Sequence, residues 1–320
     1  MVFVTGRQTL GILDPLEHRI LSALFTLAHL SDPHLGPIPA PSWRDLLNKR
    51  LTGYLNWRRK RQFIHNMDVL DRLVADLVAR KPAHISCTGD LLNIGLASEC
   101  PKARAFLARL GAPEDVSFVP GNHDAYVADS VPRITEFFAP YMTSDTGRFE
   151  GYPFVRLRGP IALIGLCSGV PTLPFSARGT LGREQRQRLE QILRFLGSQN
   201  LARVIMIHHP PHEGGARFGR GLTDAIGFES VLEREGAELV LHGHNHVTSV
   251  AHLKGPKGTI PVVGVPSASA NGGTPSHTAG YHLFDFDMTE QGIGITARQI
   301  GFGAQGMTES PLDLQAGYSG

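Results

Sequence analysis

Five short stretches concentrate imidazole, carboxylate and carboxamide groups. They are "SDPHLG" with Asp32 and His34, "TGDLLN" with Asp90, "VPGNHDAY" with Asn122, His123 and Asp124, "HHPP" with His208 and His209, and "HGHNH" with His242, His244 and His246. A tight turn accounts for Pro120, Gly121 and Asn122, because turns favour these residues. It does not account for the histidine and aspartate that follow. Side chains two apart in an extended segment point the same way, so Asp32 and His34 can face one site, as can His244 and His246. A mixed oxygen and nitrogen set without thiolate suits Zn, Mn or Fe(II) and is too nitrogen-rich for Mg or Ca. Asp90, Asn122 and the histidines exceed the roughly three protein ligands that one catalytic ion takes. Two ions bridged by a carboxylate account for the number. Such a pair clamps the attacking and leaving oxygens of a phosphoryl displacement and supplies hydroxide near neutral pH.

Each of these stretches follows an apolar run that reads as a buried strand: "LFTLAHL" (24–30), "AHISCT" (83–88), "VSFVP" (116–120), "ARVIMIHH" (202–209) and "AELVLHG" (237–243), with "IALIGLCS" (161–168) as a sixth. Segments of helical period lie between them. "FIHNMDVLDRLVADLVAR" carries apolar residues at 63, 64, 67, 70, 73, 74, 77 and 78, one continuous stripe. Strands that alternate with helices predict an α/β core whose binding groups gather at the carboxyl ends of the strands. After residue 245 strands follow one another without helices, which predicts a second sheet built by the C-terminal part within the same domain. The expected organisation is an extension over 1–22, a single domain over 23–301 and a loose, Gly- and Ser-containing tail over 302–320.

The bulk properties exclude several classes. The 320 residues are 42% hydrophobic and 19% charged, which suits a globule with a substantial core. A net charge of +2 is too small to imply a polyanionic partner for the whole chain. Cys87, Cys100 and Cys167 are odd in number and scattered, which argues against a disulfide framework and for a reducing compartment; Cys87 reads as core. No apolar stretch reaches the roughly 18 residues of a membrane span. The N-terminal segment makes a poor signal peptide, so a cytoplasmic location is the default expectation.

Taken together, the ordered motifs D-X-H, G-D, G-N-H-D, H and G-H-X-H resemble those of the calcineurin-like metallophosphoesterase superfamily, over roughly two thirds of the chain from Asp32 to His246. The resemblance implies an α/β fold of the four-layer αββα type, two mixed β-sheets flanked by helices. It implies that Asp32, His34 and His246 hold one divalent ion and Asn122, His208 and His244 the other, with Asp90 and a water or hydroxide between them. His123 would stabilise or protonate the leaving oxygen, a task suited to imidazole. Asp124 would orient that ring or cap the next helix, and His209 and His242 would support the ligands. His29, His65, His84 and His282 match no ligand position and are expected to be packed or surface residues.

The substrate is less legible. The protein-serine/threonine-phosphatase branch continues Gly-Asp into an Asp-Arg pair that grips phosphate; here Asn93 and Ile94 stand at those places. "GNHDAY", "HHPP" and "LHGHNH" are most similar to the bacterial branch of cyclic-nucleotide-type and other small phosphodiesterases. Asn93, His209, Arg217 and Arg220 are the candidate substrate contacts, the two arginines on the glycine-rich loop "HEGGARFGRG" (212–221). A second feature points to a lipid phosphate. Residues 43–63, "WRDLLNKRLTGYLNWRRKRQF", hold seven basic residues against one acidic, interleaved with aromatics. Such a stretch suits peripheral contact with the anionic inner face of a membrane; a nucleic-acid backbone is the weaker match, and a solvated helix face the plain one. A nuclease and a non-catalytic scaffold are the remaining alternatives.

Overall fold

A computed structural model gives the structure of the chain and describes residues 24–145, 151–199, 201–271, 278–289, 292–303 and 306–315. The extension expected over 1–22 lies outside them. In chain order, β1 (Phe25–Leu30) is followed by an arm that contains α1 (Arg50–Asn56), a π-helical turn (Trp57–Arg61) and α2 (Gln62–Ile64). Then come α3 (Met67–Ala79), β2 (His84–Cys87), α4 (Cys100–Leu110), β3 (Val116–Phe118) and α5 (Val131–Phe138). The second half runs β4 (Phe154–Arg158), β5 (Ile161–Gly165), α6 (Gly182–Leu196), β6 (Ala202–Met206), α7 (Ala225–Glu235) and β7 (Leu239–His242). It ends with β8 (Ser249–Gly255), β9 (Gly258–Gly264), β10 (Gly280–Thr289), β11 (Gly292–Gly303) and β12 (Gly306–Leu312).

The period-two alternation of each strand sets the layering. In β6 and the residue after it, Val204 and Met206 join one core while Ile205 and Ile207 join another. In β10, Phe284 and Phe286 share the core of Val204 and Met206, whereas Tyr281 and Leu283 face α3 and α4 residues such as Leu73 and Leu107. Two six-stranded mixed sheets result, ordered β12-β11-β10-β1-β2-β3 and β4-β5-β6-β7-β9-β8. They pack face to face through one core, with α3 to α5 outside the first sheet and α6 and α7 outside the second. This is the four-layer αββα metallophosphoesterase fold. Strands buried on both faces read as continuous apolar runs, which is why they were visible in the sequence.

Three expectations need correction. The C-terminal strands do not build a sheet of their own: β8 and β9 extend the second sheet through β7, while β10 lies antiparallel to β1 in the first. The apolar stripe over 63–78 is broken at His65, which is extended, and at Asn66, whose Oδ1 caps α3 by accepting from the Asp68 and Val69 amides. Phe63 and Ile64 are consequently exposed rather than core. The segment assigned to a loose tail contains β12, paired antiparallel with β11.

Phe284 is fully buried between the sheets. Phe284→Ala is expected to lower the unfolding free energy in urea by about 3–5 kcal/mol. Val78→Ala, on the exposed side of α3, should change it by no more than about 0.5 kcal/mol.

Candidate metal centre

Loops at the carboxyl ends of β1, β2, β3, β6 and β7 converge on one another. The backbone there is unusual: Asp32, His34, Asp90, His244 and His246 all have φ between 39° and 69°. Left-handed backbone is rare for residues other than glycine and costs about 1 kcal/mol or more each, so its concentration in one place marks a functional constraint. The glycines before the ligands serve close approach. A Cβ on Gly121 would lie 2.2 Å from Asp90 Oδ1, and one on Gly243 2.4 Å from Asp32 Oδ2. The G-D, G-N and G-H pairs thus record how tightly the loops interleave. Backbone bonds link them further, from Asp32 N to Gly89 O (2.9 Å) and from His34 N to Asp90 O (3.1 Å).

The seven residues expected as ligands come together in two nests. In the first, His246 Nε2 lies 3.1 Å from Asp32 Oδ1 and 3.4 Å from His34 Nε2. In the second, His208 Nε2 lies 3.2 Å from both Asn122 Oδ1 and His244 Nδ1. Asp90 Oδ2 stands between the nests, 3.7 Å from His34 Nε2 and 3.4 Å from His208 Nε2. All seven are buried except the partly buried His246. Nδ1 of His208 donates to the Thr88 carbonyl at 2.7 Å, which leaves Nε2 facing Asn122 Oδ1 and Asp90 Oδ2, where it can hold a proton or a cation. His34 is held the same way by the Leu92 carbonyl. Converging acceptors without donors, in a buried place, need a proton or a cation among them. The donor set therefore fits two cations of the nitrogen- and oxygen-binding kind.

The titration behaviour agrees. Burial works against a charge on His208, but Asp90 raises its pKa to about 9. Asp90 and Asp32 are also buried, and the imidazoles of His208 and His246 respectively hold them below the ordinary carboxylate value.

His123 forms the rim. Its amide donates to Asp90 Oδ1 (2.7 Å), its Nδ1 donates to the Asn93 carbonyl, and its ring stacks on Tyr126. Burial and the Arg61 guanidinium lower its pKa to about 3, so the ring is neutral. Lys49 Nζ lies 4.5 Å over the Tyr126 ring and forms one wall of a cleft of ≈ 550 Å³, with Val127, Leu173, Pro174 and Arg178 among the others.

Other expected residues do different jobs. Asp124 neither touches the His123 ring nor caps α5; its carboxylate accepts from the amides of Asp90, Leu92 and Gly121 (2.8–3.0 Å) and locks two ligand loops together. Asn93 is buried and its side chain donates to the Leu35 carbonyl, so it meets His123 only through its own carbonyl. Both nitrogens of His209 are used, by Ser168 Oγ and the Ala177 carbonyl, which makes it a support for His244, 4.6 Å away between ring centroids. His242 is likewise buried, with Nδ1 on the Gly243 carbonyl. Arg217 is exposed, and Arg220 is close enough for its charge to depress the pKa of His244.

Two residues of the site escaped sequence reasoning. His65 lies 4.5 Å from His34 and 5.8 Å from His246 between ring centroids, with Nδ1 on Ser269 Oγ. Arg61 sits between His34 and His123. No spacing rule marks either; only the basic character of 43–63 drew attention to that segment. His29, His84 and His282 are buried in the first sheet, as packed residues.

This arrangement of fold and ligands belongs to a metal-dependent phosphoester hydrolase. The sequence profile of the calcineurin-like phosphoesterases matches residues 25–248, and the chain belongs to that family. It is 24% identical over 221 residues to a probable cyclic nucleotide phosphodiesterase of Synechococcus sp., covering 66% of this chain and 75% of that protein. Its fold is similar to a dimetal phosphatase from Danio rerio (TM-score 0.57, 14% identity, 90% of this chain and 99% of that one). It is also similar to the purple acid phosphatase PPD1 from yellow lupin seeds (TM-score 0.53, 12% identity, 90% and 54%).

The raised His208 value gives a pH prediction. A folded-state pKa of about 9 against the ordinary 6.5 contributes stability that is full below pH 6.5 and lost as pH rises through about 9. The thermal midpoint of metal-free protein should fall over that interval relative to His208→Gln. A difference between the two that stays level would contradict the His208–Asp90 pairing.

Proposed function

We propose that the protein hydrolyses small phosphodiesters, of the cyclic-nucleotide type, at a dinuclear metal centre. The observation that carries this reading is the pair of nests that share Asp90 Oδ2. Asp32, His34 and His246 would hold one ion, Asn122, His208 and His244 the other, and Asp90 would serve both. Manganese, iron or zinc suits these donors. When bound, the pair lowers the pKa of water and neutralises phosphoryl oxygens.

The chain's own residues do the rest. Asp124 keeps the Asp90 and Asn122 loops in register. His123 stands beside His34, 4.9 Å between ring centroids, on the side where a leaving oxygen would emerge. Its Nε2 accepts from Arg61 in this structure, so it would serve as an acid only after the guanidinium has turned to another partner and Nε2 has taken up a proton. The Lys49 cleft offers room for the ester group, with both apolar and cationic walls. The relationship to a probable cyclic nucleotide phosphodiesterase supports a diester over a monoester.

The exposed side of the arm favours a second reading, a phosphatase or pyrophosphate-bond hydrolase acting on a membrane lipid phosphate. Trp43 (69% exposed), Leu47 (73%), Leu51, Leu55 and Phe63 face solvent beside exposed Arg44, Arg58, Arg59 and Lys60. Apolar side chains among cations match an anionic bilayer surface. Among the described residues no helix is long and apolar enough to cross a membrane, so such contact would be peripheral.

Mn-loaded protein should cleave bis-p-nitrophenyl phosphate. Asp90→Ala should abolish turnover and lower bound metal, and His123→Ala should keep its metal while kcat falls about 10²–10⁴-fold. No turnover with any divalent metal would remove the hydrolase assignment. For the lipid reading, the wild type should co-sediment with phosphatidylglycerol vesicles, and Leu47→Ser with Leu51→Ser should release it while diester cleavage persists. Failure of the wild type to bind vesicles excludes that reading.

A further inference from the structure

Arg61 is out of place for a member of a solvated basic stretch. Its neighbours Arg58, Arg59 and Lys60 are exposed, but its guanidinium reaches inward, 2.7 Å from His123 Nε2 and 2.8 Å from His34 Nε2. The arm is built to hold it there. Arg50 is buried and anchored to the Ile94 and Gly95 carbonyls and to Asp129 (2.6 Å). Tyr54 and Trp57 stack on each other and pack against Ile38, Ile94, Leu96 and Tyr126. The π-helical turn then points residue 61 into the centre; such turns recur at functional sites.

The partners at that end do not suit a guanidinium. Among the described residues Arg61 forms no ion pair with a carboxylate; its hydrogen bonds run to two imidazoles. The charges of Asp90 and Asp32 offset its burial only from beyond ion-pair distance, and the planar fork of arginine is shaped for two oxygens of a phosphate or carboxylate. His34 Nε2 moreover has one lone pair. It can serve a cation or an Arg61 N–H, but not both.

We infer that Arg61 is the residue that grips the substrate's phosphoryl group, exchanging its two imidazole partners for non-bridging phosphate oxygens. The inference rests on the hydrolase reading above. It supplies from the arm the cation that Asn93 and Ile94 do not provide beside the Gly-Asp motif. Turning the Nη1 N–H from His123 to phosphate would also free His123 Nε2. The charge of Arg220, on the glycine-rich loop, also reaches Arg61 and His244.

The test uses inorganic phosphate as ligand, titrated calorimetrically into Mn-loaded wild type, Arg61→Gln, Arg61→Lys and, as a control, Lys254→Gln at an exposed position of β8. Metal content of each is measured in parallel. Loss of one charge-assisted bidentate contact predicts about tenfold or greater weakening in Arg61→Gln, with Arg61→Lys in between. Lys254→Gln should match the wild type, metal content should be equal throughout, and KM for bis-p-nitrophenyl phosphate should rise in the same order. Phosphate affinity of Arg61→Gln within twofold of wild type overturns the inference. So does a loss that only follows loss of metal in both Arg61 variants. Wild-type protein that takes up Mn but neither binds phosphate nor cleaves the diester refutes the hydrolase reading itself.

Discussion

The centre of this protein is organised by a shortage of protons. His208 Nε2, Asn122 Oδ1 and Asp90 Oδ2 face one another, and Asp90 Oδ2 also faces His34. Buried acceptors without partners cost several kcal/mol, roughly 2–7 for each amide-like group in an apolar setting. Such a grouping persists only if something positive compensates it and the surrounding chain prevents it from opening. The interleaved glycines, the three-amide grip of Asp124 and the carbonyls behind His34 and His208 all act against that opening.

Backbone strain is the other side of the same constraint. Five ligands in left-handed conformation place several kcal/mol of unfavourable torsion in a few loops. That is comparable with the net stability of a typical domain, about 5–15 kcal/mol. The surplus comes from three contiguous cores, one between the sheets and one under each helical layer. The sandwich therefore does more than carry the loops: its packing offsets the local cost of presenting Asp32, Asp90 and His244 inward.

Much of this was legible in the sequence, and the reasons differ by residue. The seven candidate ligands were legible because each follows a largely apolar strand and because glycine precedes Asp90, Asn122 and His244. The layers were legible in part. A continuous apolar run shows that a strand is buried on both faces but not which sheet it enters, so β10 was not placed beside β1 nor β9 beside β7. Asp124 was misread because a carboxylate next to a histidine in sequence need not touch its ring; the turn points it at amides instead. Asn93 and His209 carried polar atoms in the right neighbourhood, yet the Asn93 amide nitrogen is spent on Leu35 and both His209 nitrogens on Ser168 and Ala177. Arg61 and His65 left no trace in spacing, because their approach depends on a π-helical turn and on the Asn66 cap, not on a strand end.

The arm from Arg50 to Ile64 is moored by one salt bridge, a small apolar cluster and a few carbonyls, and none of these anchors is a metal ligand. Evolution could therefore recast it wholesale, in length or chemistry, while leaving the cation chemistry intact. The arm and the loops of the candidate metal centre are separable inheritances in this architecture, different stretches of chain that meet where Arg61 reaches His34 and His123.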